Sequence, residues 1–260
     1  MFLVTGCICG FTLNAVAQTA PLPAVSRADT TGFLTRSAWF LSFARINSGD
    51  PRFSWVGGGR VDIDLFGYPK GRVNLLVDEE LVLGSERREF DLNHQNIILE
   101  TSSSYRVGAI DVAAVFHHTS RHLVDRAADR VVAWHTVGAR TVRVFPARDS
   151  VIAVSLEFDK VVQRTYVDYM WTSQFTVWFE RPLRTRAHVF ASGASGLVGV
   201  DRAVLNRDRQ YGARVEGGVH LLAQRAGVDL FAAFERRIDG FPTSREPTSL
   251  SEIGFRLGTR

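Results

Sequence analysis

The stretch Arg60-Val61-Asp62-Ile63-Asp64-Leu65-Phe66 decides the fold, because charge and hydrocarbon alternate in it one residue at a time. Successive side chains of an extended chain point to opposite faces. Val61, Ile63 and Leu65 therefore share one side, and Arg60, Asp62 and Asp64 share the other. The same period recurs far downstream. Ala213, Val215, Val219 and Leu221 oppose Arg214, Glu216 and His220, while Val228, Leu230, Ala232 and Phe234 oppose Asp229, Glu235 and Arg237. Ile253, Phe255 and Leu257 oppose Glu252 and Arg256. In each case one face is hydrocarbon and the other carries charges of both signs.

From Arg36 onward the whole chain repeats this unit, alternation followed by a turn. Twelve segments result: Arg36–Arg45, Gly59–Gly67, Gly71–Leu83, Glu89–Glu100, Arg106–His118, Arg130–Phe145, Ser150–Val162, Val167–Glu180, Arg184–Gly196, Gln210–Gln224, Gly227–Ile238 and Leu250–Thr259. Most are about twice the five or six residues usual for a soluble strand, and are long enough to cross a bilayer at a tilt. The fold class this predicts is all-β, a closed antiparallel transmembrane β-barrel of about 12 strands over residues 36–260, with an Arg–Asp/Glu network inside. Short connections (Tyr68-Pro69-Lys70, Thr101–Tyr105, Pro146–Asp149, Arg181-Pro182-Leu183, Arg225-Ala226) alternate with long ones (Asn47–Val56, Thr119–Asp129, Leu197–Arg209, Asp239–Ser249). Gly84–Arg88 and Gln163–Tyr166, of middling length, fall on the long side. With a periplasmic N-terminus, every long loop lies outside the cell.

The N-terminus supports export. Residues 1–17 are apolar and end in Ala15-Val16-Ala17, a small-residue cleavage site, so they read as a signal peptide. No basic residue precedes Arg27, which implies a translation start further upstream. Cys7 and Cys9, the only cysteines, would leave with the leader, and residues 18–35 would form a periplasmic N-terminal segment. The expected address is the bacterial outer membrane, with the barrel-assembly machinery as a partner, although the chain ends Leu257-Gly258-Thr259-Arg260 without a terminal aromatic.

Of 31 basic residues only Lys70 and Lys160 are lysine. Arginine's planar fork suits phosphate, so the expected ligand is an outer-membrane lipid or lipopolysaccharide headgroup. No basic stripe with interleaved aromatics is present, which excludes nucleic acid as a partner. Gly57-Gly58-Gly59 lacks the lysine and helix of a phosphate loop, and no cofactor motif is found. Trp39, Phe43, Trp134, Tyr169, Trp171, Phe175 and Trp178 read as an interfacial girdle.

Chemistry concentrates in Phe116-His117-His118-Thr119-Ser120-Arg121-His122-Leu123-Val124-Asp125, which holds three of the seven histidines. This segment resembles that of an uncharacterised family of bacterial outer-membrane barrels with a His-x-Ser-Ser-His-Leu-Gly-Asp-Glu-like run. It matches at His118, Ser120, His122, Leu123 and Asp125 and departs at Arg121, Val124 and Arg126. The resemblance implies an address, not an activity. His118-Thr119-Ser120 also has the His-x-Ser spacing of outer-membrane phospholipase A and lipid A deacylases, which implies His118 as base and Ser120 as nucleophile.

Ile110, Val112, Ala114, Phe116, His118 and Ser120 share one parity, which places the pair on the lipid-facing wall. His122 and Asp125 are possible accessories. Those enzymes carry an Asn or Glu about twelve residues after the serine, where this chain has Val132. Asp125, Asp129, Asn93 and Asn96 would have to substitute. A metal site from His117, His118, His122 and Asp125 requires the segment to fold back on itself, since His117 and His118 face opposite ways in a strand. His94, His135, His188 and His220 read as structural. Whether the chain is an enzyme stays open at this point: a structural or surface-binding barrel and an outer-leaflet lipid esterase are both compatible with it.

Overall fold

A computed structural model describes residues 31–125, 130–224 and 226–259. The leader 1–17 with Cys7 and Cys9, and residues 18–30 of the segment that follows it, lie outside the described residues.

Twelve strands form one closed antiparallel barrel, each paired to its neighbours in sequence. They are β1 (Gly32–Asn47), β2 (Trp55–Tyr68), β3 (Gly71–Gly84), β4 (Asp91–Val107), β5 (Ile110–Leu123), β6 (Val132–Ala147), β7 (Ser150–Thr165), β8 (Tyr169–Arg184), β9 (Ala187–Val200), β10 (Gln210–Leu222), β11 (Gly227–Arg237) and β12 (Thr248–Gly258). β1 closes on β12 from Phe40 opposite Gly258 to Asn47 opposite Ser251. Closure leaves no edge strand with unpaired backbone groups, which a bilayer would not tolerate. Each alternating segment of the sequence became one strand. β1 begins at Gly32, so residues 32–35 belong to the barrel wall.

The alternation sorts as expected. Asp62, Asp64, Arg214, Glu216, Glu235, Arg237, Glu252 and Arg256 are buried inside, while Val61, Val215, Leu230, Phe234, Ile253 and Phe255 are exposed on the outer wall. Apolar side chains outside and ion pairs inside invert the arrangement of a soluble protein. A bulge between Asp64 and Phe66 shifts the register and turns Phe66 outward.

Two turns differ from the sequence reading. Thr101–Tyr105 is strand, and β4 turns instead at Gly108-Ala109, where Gly108 has a φ of +61°. A positive φ costs glycine little, whereas serine and threonine carry a Cβ that resists it. Arg181-Pro182-Leu183 also stays in β8, with a register shift between Pro182 and Arg184 absorbing the proline. Three of the proposed girdle aromatics face inward: Trp134, Tyr169 and Trp178 are 5%, 3% and 7% exposed. Trp178 stacks on Phe190, while Trp134 meets Tyr169 edge-on in a separate apolar cluster at the loop end.

All long connections gather at one end of the barrel and all tight turns at the other. Residues 48–54, 85–90, 124–125, 130–131, 166–168, 201–209 and 238–247 lie at the loop end.

Candidate functional site

β5 carries the histidine-rich segment and divides it between two sides of the wall. His117, Thr119 and Arg121 point into the lumen; His118, Ser120 and His122 point out, near the loop end. His118 sits across from His135 on β6, their rings 4.7 Å apart, and its buried Nδ1 has no hydrogen-bond partner. Ser120 is only 6% exposed and lies between Ile97 and Ala133 of the flanking strands. No hydrogen bond joins His118 to Ser120 among the described residues.

Among the described residues, none of the substitutes for an orienting carboxylate reaches His118. Val132 faces the interior. Asn96 is buried in the lumen, bonded to Glu80 and Arg121, and Asn93 binds Glu86. Asp125 lies in the loop with φ +52°, its carboxylate 3.0 Å from Arg88, and Asp129 is outside the described residues. The set His117, His118, His122 and Asp125 does not converge, because the wall separates its first member from the others.

Inside the barrel the ion pairs form distinct networks. Near the turn end, Arg36 meets Asp62 at 2.6 Å and Asp64 at 3.2 Å, Arg72 meets Asp64 at 3.3 Å, and Arg60 pairs with Asp78. Across the middle, Arg214 contacts Glu216, Glu235 and Glu252 at 2.9–3.0 Å. Arg237 bridges Glu80 and Glu235, and Arg256 pairs with Glu216. On the β4–β7 side Arg140 joins Glu100 at 2.7 Å and also Glu157, and His117 Nε2 lies 2.9 Å from Glu157. His220 pairs with Asp229 and His188 with Glu180.

Ion pairs join three loops across the loop end. Arg207, in the β9–β10 loop, donates to both oxygens of Asp168 (2.5 and 2.7 Å) and to both oxygens of Asp239 (2.7 and 3.0 Å). Burial works against its charge, but hydrogen bonding to Asp168 and Asp239 outweighs it and holds its pKa above the usual arginine value. Tyr169 donates to Asp239 from below at 2.7 Å. Arg121 reaches up from the lumen to the carbonyls of Asp239 and Gly240, at 2.6 and 3.1 Å. Asp239 is fully buried, so the β11–β12 loop is drawn down into the opening. Its Phe241 lies edge-on to His94, and the Arg52 guanidinium stacks over the other side of that aromatic group.

No protein-family model and no curated protein sequence matches the chain. Solved structures do. Outer membrane phospholipase A from Escherichia coli aligns with a TM-score of 0.53 at 10% identity, over 85% of this chain and 92% of that one. The Salmonella typhi outer membrane phospholipase, a dimer with bound calcium, gives 0.54 at 9% identity over 86% and 90%. An outer membrane channel from Pseudomonas putida F1 gives 0.57 at 7% identity over 90% and 99%. The chain has the fold of outer-membrane β-barrels. A hydrolase and a channel share that fold, so it selects no activity by itself.

The mouth clamp was not legible in the sequence. Arg207 and Asp168 are 39 positions apart and Arg207 and Asp239 are 32 apart, each in a different loop. The one available signal was Asp239-Gly240 two residues after an inward-facing Arg237, an acidic turn opening a long loop.

Proposed function

We propose that this chain is an integral protein of the bacterial outer membrane whose barrel is a plugged scaffold. It works at its outer surface, binding outer-membrane lipid or lipopolysaccharide headgroups, and conducts no solute. The observation that carries this reading is Arg207 clamped between Asp168 and Asp239, with Arg121 holding the same loop from beneath. The loop end also presents arginines to solvent, Arg88 and Arg202 with 69% and 70% of the side chain exposed. Exposed guanidinium groups at the level of phosphorylated headgroups favour forked phosphate contacts. The protein should fractionate with outer membranes, migrate faster unheated than heated on gels, and give no steady conductance in planar bilayers. Recovery from a soluble periplasmic extract would remove the membrane assignment, and stable open channels would remove the plug.

A second reading, an outer-leaflet ester hydrolase, rests on one observation. His118 and Ser120 share the outward face near the loop end, and His118 Nδ1 is unpartnered. The base would then act beside His135 in place of a carboxylate, and the wall around Ser120 would have to part for an acyl ester to reach it. Protein in detergent should release fatty acid from phospholipid or lipid A, and Ser120→Ala and His118→Ala should each abolish release without adding. Wild-type protein that leaves ester lipids intact would exclude the hydrolase.

A further inference from the structure

The lumen networks differ in their charge balance. At the turn end, Arg36, Arg60 and Arg72 face Asp62, Asp64 and Asp78. Across the middle, Arg214, Arg237 and Arg256 pair with Glu80, Glu216, Glu235, Glu252 and Asp229, the last also meeting His220, while Arg121 beside them bonds Asn96 and two loop carbonyls. The β4–β7 patch does not balance. Glu100 and Glu157 share the guanidinium of Arg140, and Asp159, buried beside them, has no ion-pair partner among the described residues, which leaves two negative charges in excess when all three are ionised and His117 is neutral. An uncompensated pair of carboxylates in a dry interior is costly.

His117, Glu157 and Asp159 each offer a ligating atom, and these atoms lie within 4.8 Å of one another. Asp159 is 4% exposed. One of its oxygens accepts from Thr172 at 3.1 Å, and the other, Oδ1, is buried without a hydrogen-bond partner. An orphaned carboxylate oxygen inside a protein needs an explanation. Gly138, on the neighbouring strand opposite Asp159, lets that strand come close: a Cβ there would collide with the Phe158 carbonyl and the Asp159 backbone as well as with Oδ1.

We propose that His117, Glu157 and Asp159 form a divalent-metal site on the inner wall of the barrel. Imidazole with two carboxylates is a donor set for first-row ions such as Zn²⁺ or Mn²⁺. A doubly charged ion cancels the excess of Glu157 and Asp159, while Arg140 remains matched to Glu100. The ion ties β5 to β7 at mid-barrel, through β6, whose Arg140 already bridges β4 and β7. This site is independent of the outward His118/Ser120 pair and of the mouth clamp.

The test uses the full barrel, folded in detergent and free of any affinity tag. Equilibrium dialysis against Zn²⁺ should give one bound ion per chain. His117→Ala and Asp159→Asn should each weaken binding by more than about tenfold, the lower end of what losing even an outer-shell partner costs. His135→Ala, which removes the outward histidine pair, should leave binding unchanged. Cu²⁺ bound to wild-type protein gives a reading that needs no variant, with hyperfine coupling to a single nitrogen expected in its EPR spectrum. The proposal is overturned by any of three results: no stoichiometric ion in wild-type protein, unchanged affinity in folded Asp159→Asn, or coupling to two nitrogens, which would assign the ion to His118 and His135.

Discussion

Replacing Arg214 with leucine tests whether the ion pairs hold the barrel together in a dry interior. Arg214 is 1% exposed and touches three carboxylates. Two of them keep another cation when it goes: Glu216 retains Arg256, and Glu235 retains Arg237. Glu252 does not. Arg214 is its only ion-pair partner among the described residues, and its Oε1 already lacks a hydrogen bond. The variant therefore strands one buried carboxylate, which costs about 3–5 kcal/mol, or roughly two to four decades in the unfolding constant. Glu252→Gln alone leaves Arg214 with two carboxylates and should cost only about 1–2 kcal/mol. The double variant Arg214→Leu/Glu252→Gln should recover most of the loss, because the stranded charge is gone. Urea unfolding in lipid, followed by tryptophan fluorescence and by heat-modified migration, measures all three. A single-variant cost below about 1 kcal/mol, the range of exposed pairs, would show that water screens the lumen. Failure of Glu252→Gln to rescue would show that the cost lies in lost packing.

Cysteines placed at Asp201 and Ser244 should react with impermeant reagents on intact cells, while one at Lys70, in a tight turn at the opposite end, should not; the reverse pattern would invert the orientation. Arg207→Ala should release the β9–β10 and β11–β12 loops and raise single-channel conductance above the wild-type baseline, and an unchanged baseline would mean the ion pairs below suffice to block the lumen. Hydrogen bonding to Arg52 lowers the pKa of Asp50, so that contact stabilises the β1–β2 loop above the unfolded carboxylate pKa and is lost as pH falls through the lowered value. Protection factors of the amides across residues 48–54, taken relative to intrinsic exchange at each pH, should accordingly fall below about pH 4, and protection independent of pH would show that the pair contributes nothing.

The fold was legible because a barrel wall repeats one physical rule at every strand. Arg60–Asp64, Arg214–Glu216 and Glu252–Arg256 each state it locally, and no long-range knowledge is needed to place their charges inside. Errors arose where residue type competed with period. The run Thr101-Ser102-Ser103-Ser104 has turn composition, yet it pairs with Asn74 to Leu75 and their neighbours as ordinary strand. Trp134 and Trp178 read as girdle by type, although their even positions put them on the same face as Thr136 and Thr176, inside. Parity was the better guide in both cases.

The candidate site was less legible because contacts inside a closed barrel join residues that no local pattern relates. Glu80 and Arg237 are 157 positions apart, and only closure through β12 and β1 brings them to 2.7 Å. The histidine-rich segment shows the same difficulty in miniature. Its composition reads as one site, but a strand in a thin wall is two surfaces, and adjacent residues have different neighbours and different solvents. His117 meets Glu157 and Glu100 among ion pairs, while one residue on His118 meets only His135 and hydrocarbon. Proximity in sequence therefore argues against a shared role here. The inward histidine has the carboxylates that a metal or a proton relay needs, and the outward histidine, which carries the hydrolase spacing, has none of them among the described residues.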